Sequence, residues 1–536
     1  MSTVETGTMP ARTAFRSILT PTGEVAAGGR RTADDVLHDL ALDQVLARTI
    51  EKAPAAADAF RTLCADESEI AYRHEVFAAL GDADLRTAVD TFLEGMRRSG
   101  IADGATSHPH YPFEHDLWRL SAVLFYTGAV TALGDALADS EAAAGSRALR
   151  GLSDHLTTYR SSPAFTDLQS GAAACRDQMD AVRYNVLIRD ARLTIAPTDD
   201  EDDLRRLVLD TFARFRTREQ AARVETFPDR GLDHVQAWVL EKAAQVHPEA
   251  FARLRRFVQT TDGYRDATIE LFTAEIWFYL AWLDHIAPLR RAGLPFCTPV
   301  VSAEVKDLDA RDTFDVALAG RMVADGGDLV RNDLRLTGGE RVIVISGPNQ
   351  GGKSTTARAF GQLHHLAAIG CPVPGRSVRI FLCDQVLTAF EREEQLDDLA
   401  GRLGAEIGRM HEMIETATDR TVLVLNEVFS STALQDARIL TRDILERILA
   451  KDALAVCVTF IDESRIDERT VSMVSTVDPH DPARRTFRIE RRVADGRAYA
   501  RALAAVHGLT GPQITERITA QMAERAAGDT QTEADR

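Results

Sequence analysis

The chain has 536 residues, with 63 Lys and Arg against 81 Asp and Glu, a formal net charge of −18. That length allows a large core divided into roughly two to four domains, and the acidic balance excludes a surface that coats nucleic acid generically, leaving only a local basic patch open. The six cysteines (Cys64, Cys175, Cys297, Cys371, Cys383, Cys457) have no Cys-x-x-Cys spacing, which fits reduced thiols of a cytoplasmic protein and excludes a disulfide or zinc framework.

Residues 1–30 are rich in Thr, Gly, Ala and Pro and read as a flexible segment, with Phe15-Arg16-Ser17-Ile18-Leu19 as a short docking element. The first twenty residues hold no apolar run, which predicts no secretory signal. Residues 31–290 form the next region. Ala- and Leu-rich periodicity predicts helices over 33–184, interrupted by a loop over 100–111. His108, His110 and His115, in the segment 107–115, read as a loop leading into a helix and not as a metal cluster, because Pro109 and Pro112 interrupt it and no distant ligand set matches. Residues 184–195 are β-like, and the acidic run 199–203 behind them reads as a solvated turn.

Helical periodicity returns over 204–215 and from 232 to about 290, the latter predicting an extended helical arm. Arg253, Arg255 and Arg256 on it read as a solvated face, with contact to DNA phosphates as the alternative. The apolar stretch 276–283 is far short of the roughly 20 residues that cross a membrane, so it predicts a buried helix and no membrane partner.

The texture changes at Pro295-Phe296-Cys297-Thr298-Pro299, placing a boundary near residue 290. Beyond it, short apolar runs at 341–346, 378–382, 422–425 and 455–460 alternate with helices, the pattern of a parallel α/β sheet in a domain over 291–511. Residues 512–536 read as a C-terminal helix and a disordered polar tail.

Gly347, Pro348, Asn349, Gln350, Gly351, Gly352, Lys353, Ser354 and Thr355 spell GPNQGGKST between the apolar run ending at Ser346 and a helix-forming stretch. The spacing is that of a phosphate-binding loop. Glycines let the backbone curl and aim N–H groups at phosphate oxygens, and the following helix points the positive end of its dipole at the same anion. Lys353 suits the β- and γ-phosphates of ATP, and the Ser354 hydroxyl suits the accompanying Mg²⁺. A second run, Thr421-Val422-Leu423-Val424-Leu425, reads as a buried parallel strand ending in Asn426-Glu427. Glu427 is placed to polarise an attacking water. Asn426 stands where an aspartate normally holds the metal shell, so metal binding is expected to be weakened and not abolished.

These residues resemble the C-terminal ATPase of MutS-type mismatch-repair proteins, a branch of the ABC ATPases. GPNQGGKST departs from that family's GPNMGGKST only at Gln350, and the likeness continues through Ile369-Gly370-Cys371-Pro372-Val373-Pro374, Asp384-Gln385-Val386-Leu387-Thr388, Asp397-Asp398-Leu399-Ala400 and the Asn426-to-Ala437 segment, which keeps Glu427, Thr432 and Asp436. It is specific over about 328–509. The resemblance implies a mainly α N-terminal core and lever region, with a reduced clamp-like part near 184–245, followed by a C-terminal α/β P-loop ATPase domain of ABC type. It also implies a homodimer in which each subunit completes the other's ATP site, and DNA (duplex, mismatched or branched) as partner.

Beyond Gln350, three polar groups that the family places around the metal and γ-phosphate are changed. Gly404 replaces the serine of its STFMxE segment, Phe460 replaces the histidine of its ATH segment, and Asn426 replaces the aspartate. The family's mismatch-reading domain has no counterpart, since the early Phe-x-Glu match, Phe92-Leu93-Glu94, lies inside a helical pattern. Two functions stay open: slow ATP hydrolysis coupled to dimerisation and DNA binding in mismatch repair or recombination, or an ATP-switched protein-interaction module that has lost mismatch recognition.

Overall fold

The computed structural model describes residues 15–23, 29–52, 54–106, 111–189, 192–197, 234–390, 401–430, 432–459, 467–478, 484–493 and 509–521. They form two compact units, one built mainly from Ala78–Thr273, the other from Ser17–Phe77 and Ala274–Arg536. The division differs from a single boundary near residue 290, because residues 17–77 fold with the C-terminal part of the chain.

The first unit is helical. Its long helices Ala83–Thr106 and Pro112–Asp139 pack along each other, and at Gly95 the backbones come close enough that a Cβ would stand 2.7 Å from that of Ala129. The first helix runs through the glycines at 100 and 104, where a loop is expected from composition. Burial decides here: Ser99 and Ala102 are buried and the Ser99 hydroxyl donates to the Ala122 carbonyl at 2.8 Å, which outweighs the helix cost of glycine. Phe92 is fully buried against Phe272, in keeping with a core role for the Phe-x-Glu match. Phe113–Asp139 is the one described helix long and apolar enough to cross a membrane, and more than half of it is buried in this unit.

Serine caps punctuate the shorter helices Glu141–Gly145, Arg147–Arg160 and Pro163–Asp180, with Ser140, Ser146 and Ser162 each accepting a backbone N–H of the first turn. The β-like stretch is an antiparallel hairpin, β1 (Tyr184–Arg189) against β2 (Arg192–Pro197). The acidic run 199–203 and the helix expected over 204–215 lie outside the described residues. What reads as one long arm is three helices, His234–Val246, Pro248–Gln259 and Ala267–Arg291. Pro248 lacks a backbone N–H, so it starts a new helix where the periodicity continues. Arg253, Arg255 and Arg256 are exposed. The Arg255 guanidinium lies over the Phe113 ring at 5.2 Å and 3.5 Å from Asp116.

The second unit holds the remaining strands: β3 (Phe296–Cys297), β4 (Val300–Ser302), β5 (Leu308–Thr313), β6 (Asn332–Leu336), β7 (Val342–Ser346), β8 (Val373–Pro374), β9 (Ser377–Phe381), β10 (Gln385–Ala389), β11 (Thr421–Asn426), β12 (Leu454–Val458), β13 (Thr470–Val477) and β14 (Arg485–Arg491). The main sheet has the order β10-β11-β12-β7-β13-β14, parallel throughout except for β14. Every residue of β7 and β12 is buried, as expected of strands covered on both faces. The run at 378–382 belongs elsewhere: β9 sits in a second, mixed sheet of order β4-β9-β5-β6. Its alternating exposure suits a half-covered sheet, and a short apolar run does not by itself say which sheet it joins.

Residues 17–77 cover the helix Lys353–Ala368 that follows the glycine-rich loop. The Gln362 amide donates to the Leu40 carbonyl at 2.8 Å and the His365 ring bonds the Phe60 carbonyl at 3.0 Å. His364 and His365 are therefore packing residues, both fully buried, with burial pushing their pKa down to about 4. Ser17 and Ile18 dock on Glu275, whose carboxylate accepts the Ser17 hydroxyl and the Ile18 N–H at 2.8 Å each. The apolar stretch at 276–283 lies within Ala267–Arg291, with Ile276, Phe278, Tyr279, Leu280 and Trp282 wholly buried.

Candidate functional site

The site lies at the C-terminal ends of the parallel strands, where strand carbonyls give way to loops. β7 ends at Ser346, and Gly347, Gln350 and Gly352 then take positive φ values of 115°, 60° and 90° to turn the chain into the helix at Lys353. Two of the glycines are also demanded by space. A Cβ on Gly347 would stand 2.9 Å from the Ser475 carbonyl oxygen, and one on Gly351 would drive into the Ser475 side chain. Ser475, on β13, donates its hydroxyl to the Gly351 carbonyl at 2.7 Å. Pro348 is buried, while Asn349 is exposed and its carbonyl accepts from Arg485 Nε at 3.2 Å.

Lys353 is 3% exposed. Its Nζ donates to the Gly347 carbonyl at 2.9 Å and to Asn349 Oδ1 at 3.0 Å, and it stands 3.7 Å from Glu427 Oε1. Burial lowers the Lys353 pKa, with the Glu427 carboxylate opposing the shift. Glu427 begins the turn after β11 at φ 54°, with its N–H held by the Val458 carbonyl at 3.0 Å. Phe429, also at positive φ, donates its N–H to the buried Glu406 carboxylate at 3.3 Å. The Asn426 side-chain oxygen is buried without a hydrogen-bond partner. Such an orphan is costly unless something polar completes it.

A cavity of about 410 Å³ opens beside the loop. Gly352, Lys353, Ser354, Thr355 and Glu427 form one side, and Leu318, Met322, Leu329, Val330 and Phe487 give it apolar walls. The Asp315 carboxylate fixes the wall helix Val316–Ala324: it accepts the N–H groups of Ala317 and Leu318, the Gln362 amide and Arg358 Nε, all within 3.0 Å.

The structure thus gathers Gln350, Gly352, Lys353, Ser354, Thr355 and Glu427 around one cavity, with Asn426 one residue before Glu427 at the strand end; Gly347, Pro348, Asn349 and Gly351 shape the loop without lining the cavity. Gly404 is exposed on the helix Gly401–Thr416. Phe460, Asp397 and Asp398 lie outside the described residues, as do His108 and His110; His115 pairs with Asp116 at 3.0 Å. Among the described residues no cluster of three His, Cys, Asp or Glu forms, and all six cysteines are unpaired. Ser475, Phe487, Glu406 and the apolar cavity wall were not legible as site residues. Each reaches the site by tertiary closure, and none belongs to a local motif.

Fold and site together define a mixed α/β domain with a glycine-rich loop at the C-terminal end of its strand β7. Residues 343–509 match the family model of MutS domain V, and this match supports a MutS-type family member. Over 233 residues it is 25% identical to the DNA mismatch repair protein MutS of Chlamydia pneumoniae, covering 40% of this chain and 28% of that protein. It is 26% identical over 219 residues to Endonuclease MutS2 of Gemmatimonas aurantiaca (40% and 25%), and 26% over 253 residues to the DNA mismatch repair protein MutS of Oleidesulfovibrio alaskensis (47% and 27%). The matched part spans about a quarter of the length of these curated relatives.

Proposed function

We propose that the protein binds ATP with Mg²⁺ at the glycine-rich loop, hydrolyses it slowly, and couples nucleotide state and dimerisation to DNA binding in mismatch repair or recombination. The observation that carries this reading is the buried Lys353 ammonium, held at the base of the loop by Gly347 and Asn349 and faced by Glu427. A buried ammonium whose partners are two neutral oxygens and a carboxylate at 3.7 Å has much to gain from phosphate oxygens. Gly347, Pro348, Asn349, Gly351, Gly352, Ser354 and Thr355 supply the turn and the helix N-terminus that receive the anion. The cavity beside them has room for the nucleoside.

Glu427 acts as the group that polarises the attacking water. Ser354 and Asn426 would hold Mg²⁺, and the partnerless Asn426 oxygen fits a metal shell or its water; the ion's contribution when bound is to neutralise phosphate charge. An amide in place of a carboxylate weakens that hold, and Gly404 offers no hydroxyl to a partner subunit, so slow turnover is expected.

DNA binding and the homodimer rest on the likeness to DNA mismatch repair proteins. The net charge of −18 favours a second reading, an ATP-switched module whose partner is a protein. Calorimetric titration with Mg·ATP, turnover assays, and binding to duplex, mismatched and branched DNA at several salt concentrations test the reading together. Absence of ATP binding removes it entirely. ATP binding with no DNA bound at low salt leaves the protein-partner reading in its place.

A further inference from the structure

Residues 17–20 belong to no helix or strand, yet their backbone is held on every side. The Ser17, Ile18 and Leu19 carbonyls accept, in turn, the Tyr72 hydroxyl at 2.8 Å, the Tyr279 hydroxyl at 2.6 Å and Arg73 Nε at 3.1 Å. The Glu275 carboxylate takes the Ser17 hydroxyl on one oxygen and the Ile18 N–H on the other. The Ser17 hydroxyl oxygen accepts the N–H groups of Leu19 and Thr20 at 3.0 and 3.2 Å, a local turn that serine favours. Ser17, Ile18 and Thr20 are buried, as are Tyr72, Arg73 and Tyr279. Pro21 and Thr22, next in the chain, are exposed.

Buried backbone groups mostly find their partners in other backbone. Here three successive carbonyls meet three different side chains, carried by the helices Glu67–Ala79 and Ala267–Arg291. Main-chain hydrogen bonds for affinity, with a buried seat for one apolar side chain, are the means by which a receptor holds a peptide; the seat here belongs to Ile18, which has no exposed surface. Burial raises the Glu275 carboxyl pKa, and the Ser17 hydroxyl and Ile18 N–H oppose that shift, so the occupant helps to keep the carboxylate ionised.

Arg73 joins this cradle to the helix that follows the glycine-rich loop. While its Nε holds Leu19, its Nη1 donates to the carbonyl of Ile369, the C-terminal cap of Lys353–Ala368, at 2.9 Å, and its Nη2 pairs with Glu69 at 2.9 Å. A Cβ on Gly370, at φ 75°, would stand 3.0 Å from the Arg73 side chain, so the helix end and the arginine stem are in close contact.

We infer that Tyr72, Arg73, Glu275 and Tyr279 form a binding site for a Ser-Ile-Leu-Thr peptide segment, that the chain's own residues 17–20 occupy it as an exchangeable latch, and that, resting on the nucleotide reading of the loop, latch and nucleotide strengthen each other's binding through Arg73. The helix Lys353–Ala368 is then held at both ends, by the nucleotide at its N-terminus and by Arg73 at its C-terminus. Coupling of this kind is reciprocal: ATP tightens the latch by the factor by which the latch tightens ATP.

The test uses the full chain with a protease-cleavage sequence inserted after Gly23. After cutting, the fragment carrying residues 1–23 should stay with the remainder through gel filtration. An excess of a labelled synthetic peptide of residues 15–23 should then replace it, and the unlabelled peptide should compete. A peptide with Ser17→Ala should compete about 10- to 100-fold more weakly, the range for losing a hydrogen bond to a charged group. Saturating Mg·ATP should raise the affinity for the native peptide about fivefold or more, the lower end of ordinary coupling between sites. A fragment that elutes apart from the remainder, one that excess peptide cannot displace, or a Ser17→Ala peptide that competes as well as the native one overturns the peptide site. Peptide affinity unmoved by Mg·ATP, in protein that binds ATP by calorimetry, overturns the coupling. If calorimetry finds no ATP binding, the nucleotide reading and the coupling fall together, and peptide exchange alone decides the site.

Discussion

The Ser475 hydroxyl occupies the space that a Gly351 side chain would need, and from there it donates to the Gly351 carbonyl at 2.7 Å. β13 therefore acts as a template for the loop: the strand's serine both requires the glycine and ties it down. The shape of the glycine-rich loop is thus determined by a residue more than a hundred positions downstream.

This relationship predicts the effect of Gly351→Ala. The added methyl group meets Ser475 and the Pro348 carbonyl, and the loop must move, since β13 is held in the sheet by β7. Overpacking of this kind typically costs about 1–3 kcal/mol. ATP affinity should fall at least tenfold, read by calorimetry, with circular dichroism unchanged. The double variant with Ser475→Gly should recover part of the affinity, because the obstructing side chain is gone. Equal loss in single and double variants would mean that Ser475 does not shape the loop.

Lys353 and Glu427 should separate binding from turnover. Lys353→Ala removes the ammonium that meets phosphate, so ATP binding should drop by two or more orders of magnitude. Glu427→Gln keeps the size and the turn but not the charge. It should retain ATP affinity within a few-fold while turnover falls about 10²–10³-fold, the usual effect of removing one catalytic electrostatic group. Unchanged hydrolysis in Glu427→Gln rules out Glu427 as the water-polarising group. Its position depends on Glu406, which holds the Phe429 N–H two residues further on.

How much of this is legible in the sequence differs from residue to residue. The loop and the Asn426-Glu427 pair were legible because both are local: a β run, a fixed spacing, then glycines or acids. The strands β7, β11 and β12 were legible because full burial demands unbroken apolar runs. The packing of residues 17–77 on the helix after the loop was not, since Leu40 and Phe60 offer their backbone carbonyls, which carry no sequence signal. Phe487 was hidden for a related reason: its conformation comes from the Asn332 amide, on a distant strand. The break at Pro248 shows the opposite failure, in which periodicity persists across a real helix boundary.

Asn426→Asp tests the metal shell. The Asn426 oxygen is buried and partnerless, so a carboxylate there adds negative charge in a place water reaches poorly. Without nucleotide the substitution should destabilise the fold by about 1–3 kcal/mol. With Mg·ATP the sign should reverse: the Mg²⁺ concentration for half-maximal ATP binding should fall several-fold, because a carboxylate binds the ion more strongly than an amide does. Melting curves with and without Mg·ATP, together with a Mg²⁺ titration, read both effects. A Mg²⁺ requirement that does not change places the ion away from residue 426.

The histidine pair under residues 17–77 predicts how stability depends on pH. His364 and His365 are fully buried, and burial lowers each from the ordinary 6.5 to about 4 in the folded protein. Their ring nitrogens bond the Phe360 carbonyl at 2.8 Å and the Phe60 carbonyl at 3.0 Å. Between pH 6.5 and 4 the unfolded chain binds protons at these rings and the folded chain does not, so folding stability falls as pH falls through that window and is constant above it. A difference of this size corresponds to on the order of 3 kcal/mol for each ring. Urea unfolding of the wild type at pH 7.5, 6 and 5 should show midpoints that drop progressively. In His365→Gln, whose amide can still donate to Phe60, the drop should be smaller by about a third, because His74, also lowered to about 4 by burial, titrates in the same window. Because the helix carrying both rings starts at Lys353, ATP binding should be lost over the same acid range. A midpoint equally high at pH 5 and pH 7.5 would show that the two rings are not held neutral in the folded protein.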